Sequence, residues 1–165
     1  MSFRWHHFLD LAEDLFKQQA LPGAAKAGVE VVGDVSTPAL AVQTLARSAQ
    51  EAAYRTCISR AYYASFHIVR EYVARGNPEL QPKAGSHDWV WSQLDPARRR
   101  QEGAIRGNGF TMKHARKTAD YELEFPSSWD AKSGISARNW IELAEFSILT
   151  ARRIHNLVGD ITRQR

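Results

Sequence analysis

Arg60 and His67 are the side chains of this sequence whose types and spacing best suit chemistry on a phosphodiester. The run from Ser59 to His67 is typical of a helix, in which two positions seven residues apart differ by about 20° in azimuth and about 10.5 Å along the axis. The pair offers a permanent cation and a group that exchanges a proton near neutral pH. The same spacing also fits a buried helix whose arginine and histidine are satisfied by neighbouring helices.

Tyr63 and Glu71 lie close to this pair on the same predicted helix. Tyr63 falls between Arg60 and His67 on one face, where its ring could stack on a base or its hydroxyl could donate to a phosphate. Glu71 follows His67 by four residues, a spacing at which a carboxylate orients an imidazole or favours its charged form. The alternative is an ordinary His–Glu pair on the helix surface.

A basic segment lies further along the chain, whose formal net charge is +4. Residues 97–118 hold seven arginines and lysines against one acidic residue, Glu102. The cations are Arg98, Arg99, Arg100, Arg106, Lys113, Arg116 and Lys117. A local excess of this size attracts a polyanion with salt-dependent affinity and predicts a nucleic-acid surface, whereas the alternative is a solvated helix and loop.

Asp120 and His87 have residue types that suit supporting roles. Asp120 follows Arg116 by four residues, so its carboxylate is expected to orient Arg116 or Arg60 rather than act in catalysis. His87 is predicted at the start of a helix, where it either caps the helix or contacts a phosphate. Both alternatives for His87 stay open.

The composition excludes several classes of protein. With 165 residues, of which 44% are apolar and 24% are charged, the chain fits one globular domain with a substantial core. No run approaches the roughly 18 apolar residues of a membrane-spanning helix, and the first residues do not form a secretory signal. The single cysteine, Cys57, favours a reducing compartment, so we expect a cytoplasmic protein without a membrane contact.

Hydrophobic periodicity predicts an all-α protein of four main helices with short extra helices. The predicted helices cover Phe3–Gln19, 38–47, Glu51–Arg75, a segment that begins at His87, Met112–Glu122 and 136–162. A capping-box pattern over Ser48–Glu51 favours a fresh helix start there. Three glycines leave residues 103–110 as either helix or turn. A strand is suggested only weakly, at Val29–Val32.

No metal or cofactor is predicted. The sequence lacks Glu-x-x-His, His-Glu-x-x-His, paired Cys-x-x-Cys, an EF-hand loop and the glycine-rich phosphate loops. His6 and His7 are adjacent, and because neighbouring helical residues point apart we expect at most weak metal binding there.

Three motifs resemble one branch of the HEPN superfamily of helical bundles. The run Ser59-Arg60-Ala61-Tyr62-Tyr63-Ala64-Ser65-Phe66-His67 resembles the second core helix of that branch, Ser-Arg-x-Tyr-Tyr-Ala-x-Phe-His. Ser86-His87 resembles the Ser/x-His that opens its third helix, and Arg116-Lys117-Thr118-Ala119-Asp120-Tyr121 resembles its Arg-x-x-Ala-Asp-Tyr signature. The resemblance covers about residues 48–160, whereas residues 20–47 are a longer loop and short helix than is usual.

The resemblance implies a single HEPN-like domain over residues 1–165, an up-and-down four-helix bundle that is commonly a homodimer. It implies RNA or nucleotide binding and, in many members, a metal-independent endoribonuclease of toxin–antitoxin or defence systems. Arg60 would then stabilise charge on the phosphate and His67 would act as general acid or base. The signature residue Tyr121 is expected, like Asp120, to be orienting or structural.

A catalytically silent regulatory or interaction module is the alternative that the resemblance also implies. Such members accompany a minimal nucleotidyltransferase. The nuclease motif of the superfamily usually has a polar residue after its arginine and lies in a later helix, whereas this chain has Ala61, on the second core helix.

Overall fold

The computed structural model describes residues 6–20, 36–76, 87–129 and 133–164. Its helices are α1 His6–Ala20, α2 Ser36–Gly76, α3 His87–Ser92, α4 Arg100–Tyr121 and α5 Trp140–Arg163. No strand occurs in these residues, so the all-α prediction is confirmed. None of the described helices combines the length and the apolar content that crossing a bilayer requires.

The long helix α2 is the centre of the fold. It packs against α1, α3, α4 and α5, and α5 also packs against α1 and α4. The fully buried positions of α2 are spaced one, three or four residues apart. They include Cys57, Ile58, Ala61, Ala64 and Ser65. Because these side chains are mostly small, the neighbouring helices approach α2 closely. The apolar face predicted for this helix is confirmed.

The fresh helix start predicted at Ser48–Glu51 is wrong, because α2 runs without interruption from Ser36 to Gly76. A capping box satisfies backbone donors that a helix end leaves unpaired, and inside a continuous helix those donors already bind carbonyls four residues earlier. Gln50 has another role here, since its side-chain amide donates to the carbonyl of Gln19 at the end of α1 and to the Tyr54 hydroxyl.

Helix α4 passes through all three glycines, so the turn alternative for residues 103–110 and the separate helix predicted from Met112 are both wrong. Gly109 is buried against α3, and a Cβ at this position would lie 2.3 Å from the ring of Trp91. Packing against α3 thus holds α4 together where its own helix propensity is low.

A buried carboxylate fixes the start of α4. Glu102 is 2% exposed, and its two oxygens accept hydrogen bonds from the Tyr72 hydroxyl (2.7 Å) and from the backbone N–H of Asp95 (2.9 Å). These bonds tie α4 both to α2 and to the connection that follows α3.

Other predicted boundaries agree closely with the structure. Helix α2 ends at Gly76, as predicted, and α5 begins four residues later than predicted, where the Asn139 side chain accepts a hydrogen bond from the Glu142 backbone N–H. The weak strand at Val29–Val32, Ser86 of the Ser86-His87 motif and residues 21–35 of the loop and short helix predicted over 20–47 lie outside the described residues.

Candidate functional site

Predicted site residues from α2, α3 and α4 meet at one surface, which we call the α2–α4 site. Its members are the predicted residues Arg60, Tyr63, His67, His87, Arg116 and Asp120, together with Ser59, which was not predicted as a site residue. The site is held by α2, which carries four of these residues on one flank, and by α3 and α4, which pack against that flank.

Tyr63 is at the centre of the site. Its half-buried ring lies 5.5 Å from the guanidinium carbon of Arg116, and its centroid lies 6.0 Å and 6.4 Å from those of His87 and His67. The neighbouring Tyr62 is buried in the core, as expected from its position about 100° away on the helix. Tyr63 therefore joins all three helices at the surface.

Arg60 presents its charge to solvent. Its guanidinium carbon lies 5.2 Å from the ring of Phe8 in α1, and within the described residues it forms no ion pair. It borders a surface pocket of about 370 Å³ that Arg55, Thr56, Ser59, Tyr63 and Asp120 also line. An exposed arginine beside such a pocket is available to bind an anion.

Asp120 forms an ion pair with Arg116, one of the two arginines that it is expected to orient. Its Oδ2 lies 2.5 Å from Nε of Arg116, and its Oδ1 accepts a hydrogen bond of 2.5 Å from the Ser59 hydroxyl. Burial disfavours the charge of Arg116, but Asp120 and the nearby Tyr63 and Tyr121 raise its pKa above the usual value. Arg116 therefore keeps its positive charge. Its guanidinium carbon lies 5.4 Å from the exposed ring of Tyr121.

His67 is neutral at pH 7. Burial, together with the charges of Arg70 and His87, lowers the pKa of His67 from 6.5 to about 4. The predicted tendency of Glu71 to favour the charged form is therefore outweighed, and the Glu71 carboxylate lies 3.5 Å from the guanidinium of Arg75. A neutral imidazole accepts a proton but has none to give as an acid.

His87 has a defined position among aromatic rings. Its Nδ1 lies 2.7 Å from the Tyr62 hydroxyl, and its ring centroid lies 4.3 Å from that of Phe66. Burial and the charges of Arg116 and Lys113 lower its pKa, against the opposing effect of Asp88. This second imidazole therefore lines the site in its neutral form.

The basic segment is divided between the two ends of α4. Lys113 lies beside the site, where its Nζ is 2.5 Å from the Asp88 carboxylate in α3. Arg98, Arg99 and Arg100 lie at the opposite end, about 24 Å from Arg116 along the helix axis. One small ligand cannot contact both groups.

Arg55 supports the site, and the sequence carries no signal of this role beyond its spacing from Glu51. Its guanidinium donates to the carbonyls of Ala119, Glu122 and Leu123, more than 60 residues away, and lies 4.1 Å from the ring of Trp140. It caps the end of α4 beside Asp120, and this contact fixes α4 against α2.

The prediction that His6 and His7 point apart is wrong. Their ring centroids are 4.4 Å apart in an edge-to-face arrangement, although adjacent positions on a helix differ by about 100° in azimuth. With Asp10 they form an exposed group whose potential metal ligands lie within 4.8 Å of one another. The α2–α4 site contains neither histidine.

The α2–α4 site can bind an anion beside an aromatic ring and can accept a proton at His67 or His87. Comparison of the chain with protein-family models, with curated proteins and with solved structures finds no match. Function is therefore inferred from the geometry and chemistry of these residues.

Proposed function

We propose that this protein is a HEPN-like, RNA- or nucleotide-binding protein whose α2–α4 site cleaves RNA without a metal ion. The observation that supports this proposal is the meeting of three motif segments. Tyr63, His87 and Arg116 are distant in the sequence, yet the Tyr63 ring contacts both of the others at 6.0 Å or less. The site offers a cation for the phosphate, an aromatic ring on which a base can stack, and two neutral imidazoles that can accept a proton. These groups suit a phosphodiester beside a base.

In the proposed reaction, Arg60 binds the phosphate and stabilises the negative charge that develops on it. His67 accepts the proton of the ribose 2′-hydroxyl, whose oxygen attacks the adjacent phosphorus. The bond to the 5′-oxygen breaks, and the proton returns to that oxygen from His67. The products are a 2′,3′-cyclic phosphate and a 5′-hydroxyl, and no oxidant or metal takes part.

A catalytically silent module is the second candidate, because a pKa of about 4 makes His67 a weak base at neutral pH. Such a protein would bind RNA or a nucleotide at the same residues and regulate a partner such as a minimal nucleotidyltransferase. In either case the proposal includes an up-and-down four-helix bundle that forms a homodimer in the cytoplasm.

Cleavage of RNA in excess EDTA by wild type, His67→Ala and the control His7→Ala tests the proposal. We expect cleavage by wild type and His7→Ala and none by His67→Ala, with unchanged helicity and RNA affinity. Equal cleavage by all three proteins would contradict a catalytic role of His67. Binding without cleavage by any of them would establish the silent module, and neither binding nor cleavage would refute the function proposed here.

A further inference from the structure

One flank of α4 carries three cations and two exposed aromatic rings in a single row. Arg106, Phe110, Lys113, Lys117 and Tyr121 follow one another at intervals of four, three, four and four residues. On an α-helix these intervals keep the five side chains within about 80° in azimuth, along about 22 Å of the axis. We call these five residues the α4 stripe.

Phe110, Lys117 and Tyr121 of the α4 stripe are exposed, Arg106 and Lys113 are half-buried, and the stripe carries net positive charge. Phe110 is 39% exposed and Tyr121 is 66% exposed. Within the described part of the chain, Arg106 and Lys117 form no ion pair, whereas Lys113 pairs with Asp88. The two acidic residues of α4 do not neutralise the stripe, because one is buried against α2 and the other is bound to Arg116.

Packing on the other side of α4 fixes the direction of the stripe. Ile105, Gly109 and Met112 are buried, with Gly109 directly against the Trp91 ring. Helix α4 therefore cannot rotate about its axis to bury Phe110. The stripe also meets the α2–α4 site at one end, since the Arg116 guanidinium lies within 5.5 Å of both Tyr121 and Tyr63.

We propose that the α4 stripe binds a single RNA strand, with phosphates on Arg106, Lys113 and Lys117 and bases stacked on Phe110 and Tyr121. This inference rests on the proposed function and names its ligand as a strand rather than a mononucleotide. At about 3.4 Å per stacked nucleotide, 22 Å accommodates about six nucleotides, which is within the usual range for single-strand sites. A longer strand would reach Arg98, Arg99 and Arg100 beyond Arg106.

The combination of cations and aromatic rings favours RNA over a second copy of this chain. A single strand presents both phosphates and bases along its length, so each group of the stripe has a complementary group in the ligand. A second copy that packs its own stripe on this one would instead place like charges opposite one another.

Fluorescence anisotropy with labelled, unstructured RNAs of two and ten nucleotides tests this proposal. We expect the 10-mer to bind at least tenfold more tightly than the 2-mer. Phe110→Ala should weaken binding of the 10-mer about tenfold and leave the 2-mer unaffected, because a stacked base is lost. Arg106→Ala should make the plot of log affinity for the 10-mer against log salt concentration less steep. The slope should fall by the amount that about one phosphate contact contributes. Leu149→Ala and Arg153→Ala, at exposed positions of α5, are the matched controls.

Equal affinity for the two RNAs, or equal effects of Phe110→Ala and Leu149→Ala, would overturn the proposal. If Arg60→Gln then still weakens binding of the 2-mer, the proposed function survives and the α4 stripe does not bind RNA. If neither RNA binds, both proposals fail. Loss of a dimer in Phe110→Ala, with unchanged RNA affinity, would assign the stripe to self-association instead and would also overturn the inference.

Discussion

His67 shows how burial changes the chemistry that a residue type suggests. A free histidine changes charge near pH 6.5, and helical spacing alone places this one on the same face as Arg60. The fold then covers part of the ring, and the positive charge of Arg70, three residues further along the same helix, adds to the effect, so the pKa falls to about 4. Spacing along one helix predicts which residues share a face, but it does not predict how other helices cover them.

The lowered pKa of His67 predicts a loss of stability in acid. Between pH 6.5 and 4 the unfolded chain takes up a proton at His67 that the folded chain does not, so the free energy of unfolding falls as the pH falls. In urea titrations at pH 7 and pH 5, we expect His67→Gln to lose less stability than wild type. Part of the loss remains, because the pKa values of His87 and His155 are also lowered by burial.

The exposed histidine at position 114 offers the control for this experiment. His114→Gln makes the same substitution at an exposed position and controls for the substitution itself. If His67→Gln and wild type lose the same free energy between pH 7 and pH 5, His67 does not have the lowered pKa described here.

Most residues of the α2–α4 site could be predicted, whereas Ser59 and the supporting residue Arg55 could not. Arg60, Tyr63, His87 and Arg116 stand out in the sequence by motif and type. Arg55 does not, because its partners are backbone carbonyls on a distant helix end, and backbone groups carry no sequence signal.

At the scale of elements, α4 is the helix that local patterns describe least well. Gly103, Gly107 and Gly109 each lower helix propensity, so the sequence leaves this segment as helix or turn. Packing overrides propensity, because Gly109 and Gly103 lie directly against Trp91 and Pro96. Because α4 is continuous, Phe110 lies on the same flank as the cations. The interrupted pattern predicted from the sequence did not show this arrangement.

Two glycine substitutions on α4 should have opposite effects. Gly109→Ala places a Cβ 2.3 Å from the rigid Trp91 ring and should lower the free energy of unfolding by about 1–3 kcal/mol or more. Gly107→Ala meets no atom within 4 Å and should raise it by roughly 0.5–1 kcal/mol. Denaturant titration of both variants measures the difference. Equal effects would show that α4 does not pack on α3 as described.

Helix α2 shows the same failure of local patterns, because a break is predicted where the helix is continuous. The capping box at Ser48–Glu51 is a local start signal, yet favourable residues on both sides continue the helix through it. The apolar face from Tyr54 to Val73 was predictable because its period is sustained over several turns.

At the scale of the whole molecule, net positive charge is concentrated in the second part of the sequence. Residues 1–96 carry 9 basic and 10 acidic side chains, whereas residues 97–165 carry 13 basic and 8 acidic ones. Helix α4 concentrates this excess along one flank and ends at the α2–α4 site. Both proposals therefore predict a molecule that attracts RNA from one side, with an affinity that salt weakens.

The most direct test of the central claim is the salt dependence of RNA affinity in wild type, Arg60→Gln and the control Arg153→Gln. If the α2–α4 site binds RNA, affinity should fall steeply as the salt concentration rises. Arg60→Gln should bind RNA more weakly, and its slope of log affinity against log salt concentration should be smaller by the contribution of about one phosphate contact. Arg153→Gln, at an exposed position of α5, should match wild type. No RNA binding at low salt, or an Arg60→Gln variant indistinguishable from Arg153→Gln, would contradict the assignment of this site.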